Sequence, residues 1–167
     1  MKINYTRITF LILTVATAVL IFVMSAQTAT VSSRQSGKVI EGIAKVLVKD
    51  FESYDSVAKD LLINEYQNFI RKSAHFLIYA VLGFFSYGFV NTYKISMRRI
   101  TFLFSWGFCI FYAATDEFHQ LFISGRSGML KDVVLDSMGA VTGILVFMLT
   151  LFIFKRLRGF LNGRKQK

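Results

Sequence analysis

The sequence predicts an all-α polytopic membrane protein with four transmembrane helices and an amphipathic helical outer segment between the first and second. Three observations carry that reading. Of 167 residues, 54% are hydrophobic and 16% aromatic, a balance too apolar for an ordinary soluble domain. The apolar residues are gathered into runs matched to a bilayer core of about 30 Å, which takes roughly 20 helical residues to cross. Basic residues collect on alternate connections between those runs, as they do in polytopic membrane proteins.

Lys2 and Arg7 precede the first span, at about 8–24. This run is long for the apolar core of a secretory signal, and the SAQTAT that follows is a poor cleavage site, so a retained helix is expected. Residues 25–72 form a polar outer segment. Within it Ile40, Ile43, Leu47 and Phe51 recur at helical spacing, and Val57, Leu61, Tyr66 and Phe69 mark a second helix. The pair reads either as amphipathic helices that lie on the outer leaflet or cap the bundle, or as an ordinary packed ectodomain hairpin. The second span covers about 74–90 and is followed by the short turn NTYKISMRR. The third covers 100–120, the fourth 133–154, and a basic tail, 155–167, closes the chain. With no proline, repeat or Gly/Ser-rich linker, residues 1–167 read as a single domain.

Charge orients the spans. The N-terminus (Lys2, Arg7), the 91–99 turn (Lys94, Arg98, Arg99) and the tail (Lys155, Arg156, Arg158, Arg164, Lys165, Lys167) hold eleven basic residues and no acid. The other nine basic residues and all ten acids lie in the opposite segments or at their helix ends. Both termini are therefore expected in the cytoplasm, with the chain in the cell membrane and residues 25–72 and the DEFHQ stretch outside. The same partition explains the net charge of +10 without nucleic acid, since no basic stripe with interleaved aromatics accompanies it. Cys109 is alone, which excludes a disulfide framework and a CxxC metal pair and leaves an inert buried thiol.

Ionisable groups at a membrane boundary are costly unless they pair or serve a site, and they concentrate in DEFHQLFISGRSGMLKDVVLD, residues 116–136. At about 100° per residue, Lys72, His75, Tyr79 and Gly83 share a face of the second span, with Arg71 at its border. Tyr112, Asp116, His119 and Gln120 share a face of the third, with Glu117 to the side. Asp132, Asp136, Gly139, Ala140 and Gly143 form a stripe on the fourth, where Gly139 and Gly143 are a small-xxx-small packing signal that turns Asp136 toward protein. His75, Asp116, Glu117 and His119 are the candidate catalytic residues. Arg71, Lys72, Tyr79, Gln120, Arg126, Asp132 and Asp136 are the candidate binding residues, with Lys131 at the rim. Arg126 lies in the glycine-bounded loop ISGRSG, where its planar fork suits a phosphate or carboxylate. His75 and His119 with these carboxylates have the chemistry for Zn²⁺ or Mn²⁺, but HEXXH is absent and H-x-x-x-x-Q is no metal motif. No metal ligand and no cofactor are assigned.

RKSAHFLIYAVLG (71–83) followed by DEFHQLFISGRSGMLKDVVLDSMGAVTG (116–143) resembles the VanZ-like family, with its pattern RK-x-x-H-x-x-x-Y-x-x-LG, DE-x-x-Q, GR and D-x-x-x-[ND]-x-x-G. SAQ after the first span also fits. Ser124 stands where proline is expected before GR, and Asp136 where asparagine is common. The resemblance implies a multi-pass protein of the bacterial envelope, in a family whose namesake is associated with low-level teicoplanin (glycopeptide) resistance. Three function classes remain open. The chain binds a membrane lipid or lipid-linked cell-wall intermediate through Arg126, Arg71 and Lys72; it is a hydrolase or transferase of such a lipid with His75 or His119 as acid or base; or it is a non-catalytic factor that excludes or senses a drug, its polar residues only locking the bundle.

Overall fold

The computed structural model describes residues 4–93, 95 and 97–164, all of them in helices, turns and short connections. The helices are α1 (Tyr5–Ser25), α2 (Ala29–Leu47), α3 (Ser56–Asn91), α4 (Arg98–Gln120) and α5 (Leu130–Arg164), with a single 3₁₀ turn at Phe51–Ser53. Of the eleven basic residues that orient the chain, Lys2, Lys94, Lys165 and Lys167 lie outside the described residues.

Asn4 opens α1 by accepting from the Arg7 amide at 3.2 Å, and Asp55 opens α3 in the same way from Ala58 at 2.8 Å. The second outer helix and the second span, read as separate from the sequence, are one unbroken α3 of 36 residues. Polarity changes near Lys72, but no glycine or proline lies between Ser56 and Leu82 to interrupt the backbone ladder. In the same way α5 carries the apolar fourth span on through Lys155, Arg156 and Arg158.

α3 is the central helix. It packs on α1, α2 and α4, and most extensively on α5. Arg7 at the start of α1 reaches Thr92 just beyond α3, with its guanidinium 3.9 Å from the centre of the Tyr93 ring, while Ser25 at the end of α1 reaches Asp116 near the end of α4. α1, α3, α4 and α5 thus alternate in direction, and α2 folds back along the N-terminal half of α3.

The distribution of side chains is that of a protein in lipid. On α1, Leu11, Ile12, Val15, Val19 and Phe22 are exposed, whereas Thr14, Thr17 and Ser25 are buried. The two threonines return their hydroxyls to Phe10 and Leu13 carbonyls at 2.8 Å, so they face protein without an unpaired donor. Among the described residues three helices, α1, α3 and α5, are long and apolar enough to cross a membrane. α4, expected as a span, has the length but ends in Asp116, Glu117 and His119.

One core cluster gathers Ile21, Tyr79, Leu82, Cys109, Ala113 and Ala140, and a second gathers Tyr87, Ile144 and Phe147. Cys109 is fully buried and free, as its place in mid-run indicated. The tightest seam joins α3 to α5. A Cβ at Gly83 would strike the Ala140 carbonyl, one at Gly139 the Phe76 carbonyl, and one at Gly143 the Ala80 carbonyl. The small-xxx-small signal at Gly139 and Gly143 is therefore a backbone-to-backbone contact.

Gly143→Ala is expected to destabilise the protein by about 1–3 kcal/mol, as overpacking against immobile backbone does. Gly107→Ala, whose Cβ would meet nothing within 4 Å, should be neutral or stabilising by up to about 1 kcal/mol through helix propensity. Thermal unfolding of both in the same detergent checks the contrast.

Candidate functional site

The close approach of α3 and α5 sets Lys72 beside Asp132 and His75 beside Asp136. The end of α4 closes the third side with Asp116, Glu117 and Gln120, and the 121–129 loop lies over them. The cavity between them, of about 40 Å³, is lined by Arg71, Lys72, His75, Glu117, Gln120, Arg126, Asp132 and Asp136 among others. A second, more open crevice of about 190 Å³ adjoins it between α1, α2 and α3, and shares Arg71, His75 and Arg126. Its other walls mix Gln27, Ser32, Gln35 and Ser36 with Met24, Val39 and Ile70.

Asp116 and Glu117 are buried and held from several sides. Ser25 donates to Asp116 Oδ2 at 2.8 Å, and the Gln120 amide donates to the same oxygen at 3.2 Å and to Glu117 Oε1 at 3.0 Å. The Met129 amide donates to Glu117 Oε2 at 2.9 Å, which pins the end of the loop to α4. Gly128 lies under the Glu117 carbonyl where no Cβ fits, and Gly125 has φ +74°, so both loop glycines have steric reasons.

Arg126 points inward from this loop. It donates to the Gln27 carbonyl at 3.1 Å, the Met24 carbonyl at 3.4 Å and Gln120 Oε1 at 3.4 Å. All three acceptors are neutral. Burial pushes its guanidinium below the ordinary arginine value, the positive charge of Arg71 adds to that, and Asp116 and Glu117 act the other way. Arg71 itself has no hydrogen bond or ion pair among the described residues. Lys72 differs, because it is paired with Asp132.

Of the candidate catalytic residues, His75, Asp116 and Glu117 come together. His119 does not join them. It packs against Phe22 of α1 at 4.8 Å between the centres of the tilted rings, lines neither the cavity nor the crevice, and its buried Nδ1 has no partner. Of the candidate binding residues, Arg71, Lys72, Gln120, Arg126, Asp132 and Asp136 line the cavity, whereas Tyr79 lies one turn deeper on α3, fully buried, with its hydroxyl unpartnered. Lys131 is exposed. Ser25 and the Met24 and Gln27 carbonyls are the participants that residue chemistry alone misses; the SAQ of the family resemblance, at residues 25–27, contains Ser25 and Gln27 and adjoins Met24.

A multi-helix membrane bundle, with guanidinium groups and carboxylates sharing a small cavity at one end, defines the class: a polytopic membrane protein with a polar intramembrane-end site. The chain belongs to the VanZ/LLP1 family, whose model matches residues 10–154. No curated protein and no solved structure matches it significantly.

Glu117→Ala removes the acceptor of the Met129 amide and of one Gln120 bond. It is expected to cost about 1–3 kcal/mol, the penalty of leaving such donors unpaired, and to raise protease cleavage within 121–129 before global unfolding. Limited proteolysis followed by mass spectrometry reads both effects.

Proposed function

We propose that the chain binds a phosphate-bearing anionic lipid headgroup, with Arg71 and Arg126 as the anion-holding groups. One observation carries this reading: both arginines line the cavity and the crevice, and among the described residues neither is paired with a carboxylate, whereas Lys72 is. Two neighbouring guanidinium groups that no carboxylate engages directly have their forks available to a shared anion, and each fork fits two phosphate oxygens. The half-apolar wall of the crevice suits the first methylenes of an acyl or polyprenyl chain. In this reading His75, with Asp116 and Glu117 beside it, is the acid or base if the headgroup is also cleaved or transferred. His119, packed against Phe22, supports the bundle.

A lipid-linked cell-wall intermediate is one headgroup of this chemistry, and occupying it at the outer face is how such a protein would contribute to teicoplanin-type resistance. The accompanying topology has four spans, α4 being the third. Its exposed Leu103, Phe104, Phe108 and Phe111 are suited to lipid, and its two acids are tied down at the end of the helix. Both termini are assigned to the cytoplasm by the basic bias of the sequence, which leaves α2 and the N-terminal half of α3 outside. The whole chain acts as one domain.

The polar groups also lock the helices, since Ser25, Asp116, Gln120 and Glu117 tie α1, α4 and the loop together. That role accounts for those four residues but leaves Arg71 with nothing to do.

Arg71 therefore gives the cleaner test. Arg71→Gln breaks no internal bond, so its stability should stay within about 0.5 kcal/mol of wild type. Loss of a charge-assisted contact worth about 1.5–3 kcal/mol should weaken retention of a polyprenyl-phosphate lipid by roughly tenfold or more. Arg126→Lys should lower both retention and stability, and Lys131→Arg neither. Native mass spectrometry with a panel of anionic and zwitterionic lipids measures retention, and wild-type retention by Arg71→Gln would sink the proposal. For the topology, Ser56→Cys should be labelled by an impermeant thiol reagent in intact spheroplasts, while the buried Cys109 stays silent.

A further inference from the structure

We propose that His75, Asp116 and Asp136 form a divalent-cation site, of the Zn²⁺ or Mn²⁺ class, at the floor of the cavity. The three residues come from α3, α4 and α5, and one ligand atom of each lies within 4.8 Å of the others. Donors bound at about 2.1 Å in a tetrahedron sit about 3.4 Å apart, so side-chain rotations of the order of 1 Å complete the set. One imidazole nitrogen and two carboxylates are a donor set for a borderline first-row cation rather than for Ca²⁺, which takes six to eight oxygens. Three protein ligands leave at least one position for water or a ligand oxygen.

The hydrogen bonding of the carboxylates points to the same use. Asp136 is 1% exposed, lines the cavity, and has neither carboxylate oxygen hydrogen-bonded. Buried polar atoms are nearly always paired, and a carboxylate with two bare oxygens is the most costly of exceptions. Asp116 is bonded on one side only. Its Oδ2 is gripped by Ser25 and Gln120, and its buried Oδ1 is bare. Outer groups that fix one oxygen while leaving the other for the ion are the usual support of a ligating carboxylate.

Charge supplies a second reason, which rests on the headgroup reading. With Lys72 taken up by Asp132, the guanidinium groups of Arg71 and Arg126 face the carboxylates of Glu117 and Asp136 across the cavity, and the carboxylate of Asp116 is buried next to His75 and Asp136. Fully ionised, that set is negative and repels phosphate. One divalent cation reverses the sign, and a phosphate oxygen can then complete its coordination while the arginines hold the others. The cavity of about 40 Å³ exceeds the 10–15 Å³ or so that one water requires, which is enough for an ion and its water.

The test uses the full-length chain purified in detergent, stripped with a chelator and titrated with Mn²⁺ alone, without lipid, the free ion being followed by electron paramagnetic resonance. Zn²⁺ is added as competitor. Saturable binding of one ion per chain, with a rise in thermal midpoint, is expected for wild type. Loss of a group that only supports a ligand already costs about 10–100-fold in affinity, so Asp136→Asn and His75→Ala should each lose at least that. Arg71→Gln should bind at least as tightly as wild type, because it removes a nearby positive charge. No saturable ion in wild type, or unchanged affinity in Asp136→Asn, overturns the site, and the wild-type titration decides even if a variant does not fold. A site that holds its ion while lipid retention ignores Arg71→Gln leaves the cation standing and removes the headgroup.

Discussion

Backbone contact between α3 and α5 is the constraint on which the rest of the molecule depends. In lipid there is little hydrophobic drive for one apolar helix to choose another, so close packing and polar contacts decide which helices pair. Gly83, Gly139 and Gly143 remove the side chains that would hold the two axes apart, each glycine meeting a carbonyl of the facing helix. That contact also fixes the register. Once Gly139 lies on Phe76 and Gly143 on Ala80, Asp136 is opposite His75, and Asp132 is one turn further on, beside Lys72. The polar cluster is thus positioned by the part of the interface that contains no polar side chain.

Periodicity made much of this legible. The stripe from Asp132 through Gly143 is a face that a period of 3.6 reveals directly, and the structure packs it against α3 as the small-residue spacing requires. The span limits and the breaks between helices were less legible. A change from polar to apolar side chains at residue 72 looks like a boundary, but the backbone responds to glycine, proline and capping, none of which intervenes there. Sequence pattern also cannot show how far a face extends. His119 lies only about 60° round α4 from Asp116, a small enough angle to have been grouped with it, yet sufficient to turn the ring onto Phe22 of α1. The grouping of His75 with Asp116 and Asp136 was illegible as a metal motif for a related reason. Its members lie 41 and 20 residues apart on three different helices, so no local spacing records it.

The two arginines of the cavity differ in how they are held. Arg126 is held by the Met24 carbonyl at the end of α1 and the Gln27 carbonyl of the α1–α2 connection, so its position reports on the end of α1 as well as on its own loop. The 121–129 loop, pinned at Gly128 and Met129 by Glu117, is thereby tied to both α1 and α4. Arg71, one turn before His75 on α3, has no such ties and keeps its side-chain freedom. One guanidinium is held in place and the other has no tie, an arrangement that would suit the proposed headgroup, since one fork is preorganised for it and the other can adapt.

The length of α3 has a consequence for where the chemistry lies. About twenty residues separate Asn91, at the end marked by Arg7 and Arg98, from Arg71, and at 1.5 Å per residue they measure about 30 Å, the thickness of the hydrocarbon layer. In the proposed topology this brings Arg71 and Arg126 level with the phosphate plane of the opposite leaflet, with His75 one turn beneath it. On the proposed reading, a lipid diffusing sideways in that leaflet would carry its phosphorus atom at the depth of the two arginines and would enter the crevice without being lifted into water or dragged into oil. Encounter with the proposed lipid would then be a search in two dimensions, governed by its mole fraction in the leaflet rather than by its concentration in solution.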